Sequence, residues 1–262
     1  MHIVKIERSN CQPVIKALEE DYITHVFAIY DLQYDLEHAI MHAAYENETL
    51  NGYVLTYTAL DFPSVILECN RRTATKLINY TPKNHFIIHC PLNLLALIQA
   101  RFPTEKHYVE DWMLVKEGEA NSFKSEKTRK LQSENDASRL ADLLATREDR
   151  PKTNASKCYN LISKMPTYGV FIGDELVSYA GSFIQMPQIW MIGGVYTHPE
   201  SRNKGYATLA TSAVTEEALR NAETAALFAR TDNYPAVRAY EKIGYRKIGE
   251  KLWIDVGTAM KP

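Results

Sequence analysis

Cysteine is scarce in this 262-residue chain. Cys11, Cys69, Cys90 and Cys158 stand far apart, with no Cys-x-x-Cys pair. That spacing leaves no redox motif and no thiolate metal frame, and free thiols in a cytoplasmic protein are the expectation. No run of ~18 apolar residues occurs, so no membrane span is expected. The opening stretch, Met1 to Arg8, lacks the apolar core of a signal peptide. Charge of one sign is missing too. Thirty Lys and Arg against 32 Asp and Glu leave a net charge of -2, which argues against nucleic acid or an anionic membrane as a partner. There is no Gly-x4-Gly-Lys-Ser/Thr loop, no Gly-x-Gly-x-x-Gly and no His-Glu-x-x-His. His38 and His42 stand four apart on what reads as a helix, but no third ligand is evident, and His85, His89 and Cys90 meet the same objection, so no metal is expected. What remains is an ordinary soluble composition, 45% hydrophobic and 24% charged, with length enough for two domains.

The informative stretch is Arg202-Asn203-Lys204-Gly205-Tyr206-Ala207. It follows an apolar run, Ile189 to Thr197, that reads as a strand, and opens a segment, Tyr206 to Asn221, that reads as a helix. Free N–H groups and the dipole at a helix N-terminus favour an anion. Gly205 permits a tight turn and close approach of a ligand. Arg202 and Lys204 add positive charge. Phosphate suits such a site, although Gly/Lys/Arg turns often do no more than connect elements.

The segment Val195-Tyr-Thr-His-Pro-Glu-Ser-Arg-Asn-Lys-Gly-Tyr-Ala207 resembles the acetyl-CoA-binding motif of the GNAT acyltransferase superfamily, Arg/Gln-x-x-Gly-x-Gly/Ala, with Arg202, Gly205 and Ala207 in its fixed places. A second stretch, Asn233-Tyr-Pro-Ala-Val-Arg-Ala-Tyr240-Glu-Lys-Ile-Gly244-Tyr245, resembles the family's following element. The resemblance covers Phe123 to Asp255. It implies a GNAT fold, an α/β (α+β) mixed sheet, and acetyl transfer from acetyl-CoA to an amine by direct attack. It further implies that Arg202 to Ala207 hold the pyrophosphate, that Val195, Tyr196 and Thr197 pair with the pantetheine arm, and that Asn233 binds that arm. Tyr240 becomes the acid beside the CoA sulfur. Its unperturbed pKa near 10 keeps it protonated at neutral pH. The bland alternative for Tyr240 is a core aromatic, since Ala236, Tyr240 and Ile243 share one helical face.

The family's strand glutamate falls at Met191, and no carboxylate occurs from Gln185 to His198. A lysine-type amine, with a pKa near 10.4, would have to arrive already neutral or lose its proton elsewhere. His198 has a suitable pKa but lies past the strand. This gap keeps a second reading open: a non-catalytic acyl-CoA sensor whose N-terminal domain contacts a partner protein. A longer acyl group, a hydroxyl acceptor and a homodimer also stay open.

The polar segment Glu117 to Lys130 marks the boundary between a divergent N-terminal α/β domain, 1–120, and a GNAT domain, 121–262. The second half reads as helices 134–145 and 155–164, a hairpin about Gly173-Asp174, then strand, helix, strand 224–230, helix 235–243 and strand 245–255. Between the first two helices, Arg147 to Asn154 is polar and contains Pro151. In the first half, 23–30, 53–60, 65–69, 86–89 and 107–115 read as strands and 92–100 as a helix. Trp112 and Trp253 each sit on a strand after a short helix, which suggests a degenerate GNAT-like repeat that has lost its phosphate turn. Tyr168, Tyr179, Trp190 and Trp253 read as core aromatics of the second domain that can also wall an acceptor pocket.

Overall fold

The computed structural model describes residues 1–148 and 152–257; Pro151 lies outside them. The elements run β1 (His2–Ile6), α1 (Cys11–Leu18), α2 (Val26–Tyr34), β2 (Ala39–Glu46), β3 (Thr49–Tyr57), β4 (Ser64–Cys69), α3 (Arg71–Leu77), β5 (Phe86–Cys90), α4 (Leu95–Arg101) and β6 (Thr104–Lys116). They continue β7 (Thr128–Lys130), α5 (Glu134–Ala145), α6 (Ala155–Lys164), β8 (Thr167–Ile172), β9 (Glu175–Gln185), β10 (Ile189–Thr197), α7 (Tyr206–Leu219), β11 (Thr224–Arg230), α8 (Tyr234–Ile243) and β12 (Arg246–Val256). The order β-α-α-β-β-β-α-β-α-β therefore occurs twice, and the suspected repeat extends over the whole first half.

The chain forms two compact units, Met1–Asp111 with the end of the chain from Gly249, and Trp112–Ile248. In the first, the strand order is β1-β2-β3-β4-β5-β12-β6; in the second it is β6-β11-β10-β9-β8-β7. The last strand of each repeat thus serves in the sheet of the other. β12 pairs antiparallel with β5 from Leu252↔Cys90 to Val256↔Phe86. Leu252, Ile254 and Val256 are buried in the first unit's core with Phe86, Ile88 and Leu67. At roughly 1.5–3 kcal/mol per buried aliphatic side chain, this alternation is enough to bind β12 firmly to its place. Trp253, expected in the second domain, stacks instead on Tyr108 of the first unit, ring centres 4.6 Å apart.

In the second unit, neighbouring residues of β8 and β9 point to opposite faces. Val170 and Val177 pack with Ala210 and Val214 of α7 and Ile243 of α8. Phe171 and Leu176 pack with Leu140 of α5 and Ile162 of α6. Ser133 starts α5 with a capping box: Asp136 N donates to Ser133 Oγ at 3.1 Å, and Ser133 N donates to Asp136 Oδ2 at 3.0 Å.

Two expectations for the first half fail. Residues 23–30 do not form a strand; Val26–Tyr34 is helical, with Val26, Ala28, Ile29 and Leu32 all buried. A helix so heavily buried loses the polar stripe that would betray its period. His42 lies on β2 rather than a helix, so the helical spacing assumed for His38 and His42 does not exist. His38 Nδ1 instead sits 2.6 Å from Asp35 Oδ1, while Tyr57 donates to Asp35 Oδ2. Glu37 stands near, completing the one cluster of metal-type ligands among the described residues. Both Asp35 oxygens are already engaged, one by His38 inside the cluster and one by Tyr57 outside it.

Asp31 on α2 carries a testable energetic consequence. It is 8% exposed, and burial, with the charge of Asp35, pushes its carboxyl up to about 7. A carboxyl raised above its ordinary value near 3.9 contributes stability that is complete at acid pH and declines as pH rises through about 7. Asp31→Asn removes the buried charge and keeps the shape. It should stabilise the protein by about 2–4 kcal/mol at pH 8 and change little near pH 4. Urea unfolding at the two pH values checks this; coincident curves at pH 8 would refute it.

Candidate functional site

β10 and β11 are parallel neighbours for only three residues: Ile189↔Thr224, Trp190↔Ala225 and Met191↔Ala226. β10 continues to Thr197 and β11 to Arg230 with no ladder between them. The edge groups of β10 past Met191 therefore face a wedge instead of a partner strand. Gly193 and Gly194 explain the parting. β10 gains one residue on β9 between Gly193↔Gly181 and Tyr196↔Tyr179, which is a bulge. Gly194 holds φ +67°, and a Cβ at Gly193 would meet the Phe183 ring at 2.6 Å. Sequence reasoning passed over these two residues; a Gly-Gly pair inside a strand pattern is the signal that marks them.

At the open end of the wedge stands the basic turn. Asn203 (φ 62°) and Gly205 (φ 81°) are both left-handed, and Gly205 caps α7 with no side chain over the helix end. The first bond of α7 is Leu209 N to Gly205 O, 3.1 Å. The N–H groups of Gly205, Tyr206, Ala207 and Thr208 thus have no partner among the described residues, as a helix N-terminus dictates. Arg202 Nε donates to Thr197 O at 3.3 Å, and Lys204 Nζ donates to Glu200 O at 3.1 Å. Both cations are exposed, held by carbonyls rather than by carboxylates.

The first repeat shows the contrast. β4 and β5 also pair in parallel at three positions, Ser64↔Ile87 to Ile66↔His89. But β4 runs directly into α3, and Asn70 Oδ1 accepts from Thr73 N at 3.0 Å. There the helix end is filled by its own cap, and no basic glycine turn precedes it.

Tyr240 is 6% exposed and shares a core cluster with Ile192, Leu227 and Tyr245, against which Val195 and Tyr206 pack. Its ring lies edge-on to Tyr245, 6.2 Å between centres. Its hydroxyl makes no hydrogen bond among the described residues, and burial pushes it up to about 12. Asn233 caps α8, its Oδ1 accepting from Ala236 N at 3.4 Å. Tyr196 and Thr197 close β10, the latter sharing a 2.8 Å hydroxyl contact with Ser178.

Met191 is fully buried, and its carbonyl accepts from Ser182 Oγ at 3.1 Å. His198 caps a short 3-10 turn; its Nδ1 accepts from Glu200 N at 3.3 Å. A cavity of about 400 Å³ opens beside His198, lined by Arg139 of α5, by Thr146 just past its end, and by Asp174 and Glu175 at the hairpin tip. Asp174 is fully solvated there. Tyr179 and Trp190 are buried core aromatics.

Residues 167–254 match the family model of FR47-like proteins. No curated protein matches the chain. Among solved structures, a Drosophila protein is 14% identical over 97% of this chain and 98% of its own, with a TM-score of 0.75. A GCN5-related N-acetyltransferase from Sphaerobacter thermophilus is 12% identical over 99% and 98%, TM-score 0.65. A tandem GNAT protein of the clavulanic acid biosynthesis pathway is 10% identical over 98% and 100%, TM-score 0.59. At these identities the likeness concerns the fold, and it spans both repeats. No helix among the described residues is long and apolar enough to cross a membrane.

Proposed function

We propose, starting from a chain whose C-terminal half is GNAT-related, that the second unit is an acetyl-CoA-dependent N-acetyltransferase acting in the cytoplasm. The observation that carries this is the parting of β10 from β11 with the uncapped basic helix end at its mouth. A wedge of unpaired strand edge suits the amide groups of a pantetheine arm. The four free amides, Arg202 and Lys204 suit the diphosphate. Val195, Tyr196, Thr197, Asn203 and Asn233 line the path between, and a β10 amide near Val195 polarises the thioester carbonyl.

The neutral amine attacks the thioester carbon, the C–S bond breaks as the tetrahedral centre collapses, and the proton shed by the attacking nitrogen passes through water to the departing thiolate or to solvent. Tyr240 supports the thiolate as it forms. With its hydroxyl near 12 and a thiol near 8.5, complete proton transfer from Tyr240 is uphill. Its role is that of a hydrogen-bond donor to sulfur. Met191 and its strand neighbours take no proton; the amine reaches the thioester carbon in its neutral form, having lost its proton to solvent or to a group off this strand. Calorimetry with acetyl-CoA tests the first step, and absence of binding defeats the reading. Tyr240→Phe should lower kcat about tenfold with KM for acetyl-CoA little changed. In the wild type, kcat/KM should rise with pH up to the acceptor's own pKa, with no falling limb from Tyr240 below about pH 10; a tyrosine limb at neutral pH counts against the assignment.

The absence of a carboxylate on β10 favours a second reading, an acyl-CoA sensor without turnover. Thioester consumption with any member of a panel of amines and peptides rejects it.

A further inference from the structure

The C-terminal end of α2, in the first unit, carries two neighbouring rows of side chains. Tyr30 and Tyr34 stand one turn apart, and so do Asp31 and Asp35. The two tyrosine rings are 5.2 Å apart between centres, tilted by 40°. Tyr57 joins them from β3: its hydroxyl donates to Asp35 Oδ2, and its ring lies edge-on to His38, 6.2 Å between centres. Asp35 is thus fixed from both sides, with His38 on its other oxygen. Asp31 differs. It is buried, yet its carboxyl accepts no hydrogen bond and meets no Lys or Arg among the described residues. Its charged neighbour is Asp35, of the same sign. The Asp31 charge also reaches the hydroxyls of Tyr30 and Tyr57, which burial and the two carboxylates push upward. Burial falls from Asp31 to Tyr34, which is 59% exposed, so the rings lead from solvent towards the carboxyl.

A buried carboxyl beside a second carboxylate, at the negative end of a helix, calls for a cation. The surroundings select its type. A metal ion needs open carboxylate oxygens, and both of those on Asp35 are taken. A methylated ammonium group spreads its charge over an apolar, weakly hydrated shell. It loses little on leaving water, and tyrosine faces attract it. We infer that Tyr30, Tyr34, Tyr57 and Asp31 form a binding site for a small methylated ammonium compound, with Asp31 as its counter-charge. The site lies within the first unit and does not rest on the acetyl-CoA reading. It also gives Asp31 a purpose where Asn would make the more stable fold: the bound cation is the partner that the carboxyl lacks.

The test is calorimetry of the full chain with choline and with 3,3-dimethyl-1-butanol, its uncharged isostere, at pH 6 and pH 8. Choline should bind at pH 8, and the alcohol about tenfold more weakly or worse. The Asp31 carboxyl titrates at about 7. About a tenth of it is ionised at pH 6 and about nine tenths at pH 8, so choline affinity should rise about tenfold between them. The ionisable groups around Asp31 are Tyr30, Asp35, Tyr53 and Tyr57, with His38 and Glu37 beyond Asp35. Of these, His38 also loses charge near neutral pH, so Asp31→Asn is the control. It should flatten the rise and weaken choline at pH 8 by about tenfold. Tyr34→Ala should cost about two- to fivefold, one exposed cation–π contact, and keep the pH dependence. Far-UV circular dichroism confirms that each variant is folded. Absence of choline binding at pH 8, equal binding of the alcohol, or wild-type affinity in Asp31→Asn each overturns the inference. Displacement of choline by equimolar Zn²⁺ also overturns it, making the cluster a metal site.

Discussion

Gly244→Val should destabilise the protein by about 3–5 kcal/mol, enough to consume much of the stability of an ordinary domain. Gly244 follows α8 in the left-handed region, φ +108°. There it carries the helix-ending bonds Gly244 N to Glu241 O, 3.0 Å, and Tyr245 N to Tyr240 O, 3.1 Å. Any side chain costs about 1–2 kcal/mol at such a φ. The remainder comes from steric overlap. A Cβ would sit 2.6 Å from the carbonyl oxygen of Glu119 and 3.4 Å from Ala120 Cα. Both are backbone atoms, so relief requires moving the chain. Tyr245, one residue on, is 1% exposed with its hydroxyl 2.7 Å from Thr215 Oγ1. It cannot shift without breaking a buried hydrogen bond, and Tyr240 is one helical turn before the glycine. Urea unfolding gives the answer, and a midpoint equal to wild type would show that the turn yields freely.

Arg202→Gln with Lys204→Gln should weaken acetyl-CoA binding by roughly 30- to 150-fold, at about 1–1.5 kcal/mol for each cation removed. Stability should change by less than about 0.5 kcal/mol, because both side chains are exposed and, among the described residues, hydrogen-bond to carbonyls rather than to buried groups. The free amides of Gly205 to Thr208 remain, so binding should persist in weakened form. Its salt dependence should flatten, since the screened charges have gone. Calorimetry at low and high salt reads both effects. Unchanged affinity at low salt would remove these cations from the site. The pattern differs from that of Tyr240→Phe, which is expected to act on turnover and spare affinity.

Much of the second unit was legible residue by residue. The helices expected at 134–145 and 235–243 are present, the second beginning one residue earlier at Tyr234, and the Gly173 hairpin joins β8 to β9. These features depend on residues a few positions apart, which is the range over which periodicity and capping act. The basic turn was legible for the same reason. In the first half, α2 was misread because its buried faces leave no polar period, and His42 was placed on a helix where β2 runs.

Taken alone, then, the sequence determined a strand, a tight basic glycine turn and a helix end at Arg202–Ala207, with Tyr240 and Gly244 spaced behind it. The Asn70 cap that fills the first repeat's helix end is equally local, three residues from Thr73, whereas tertiary structure decided the longer-range pairings. It decided that β6 and β12 each complete the other repeat's sheet. It also decided that β10 parts from β11 after Met191 and that Arg147 meets Arg202 on Tyr196. Each of these joins segments tens of residues apart or more. No local period or cap encodes such pairings; they are settled by which surfaces exclude water together once the chain has folded.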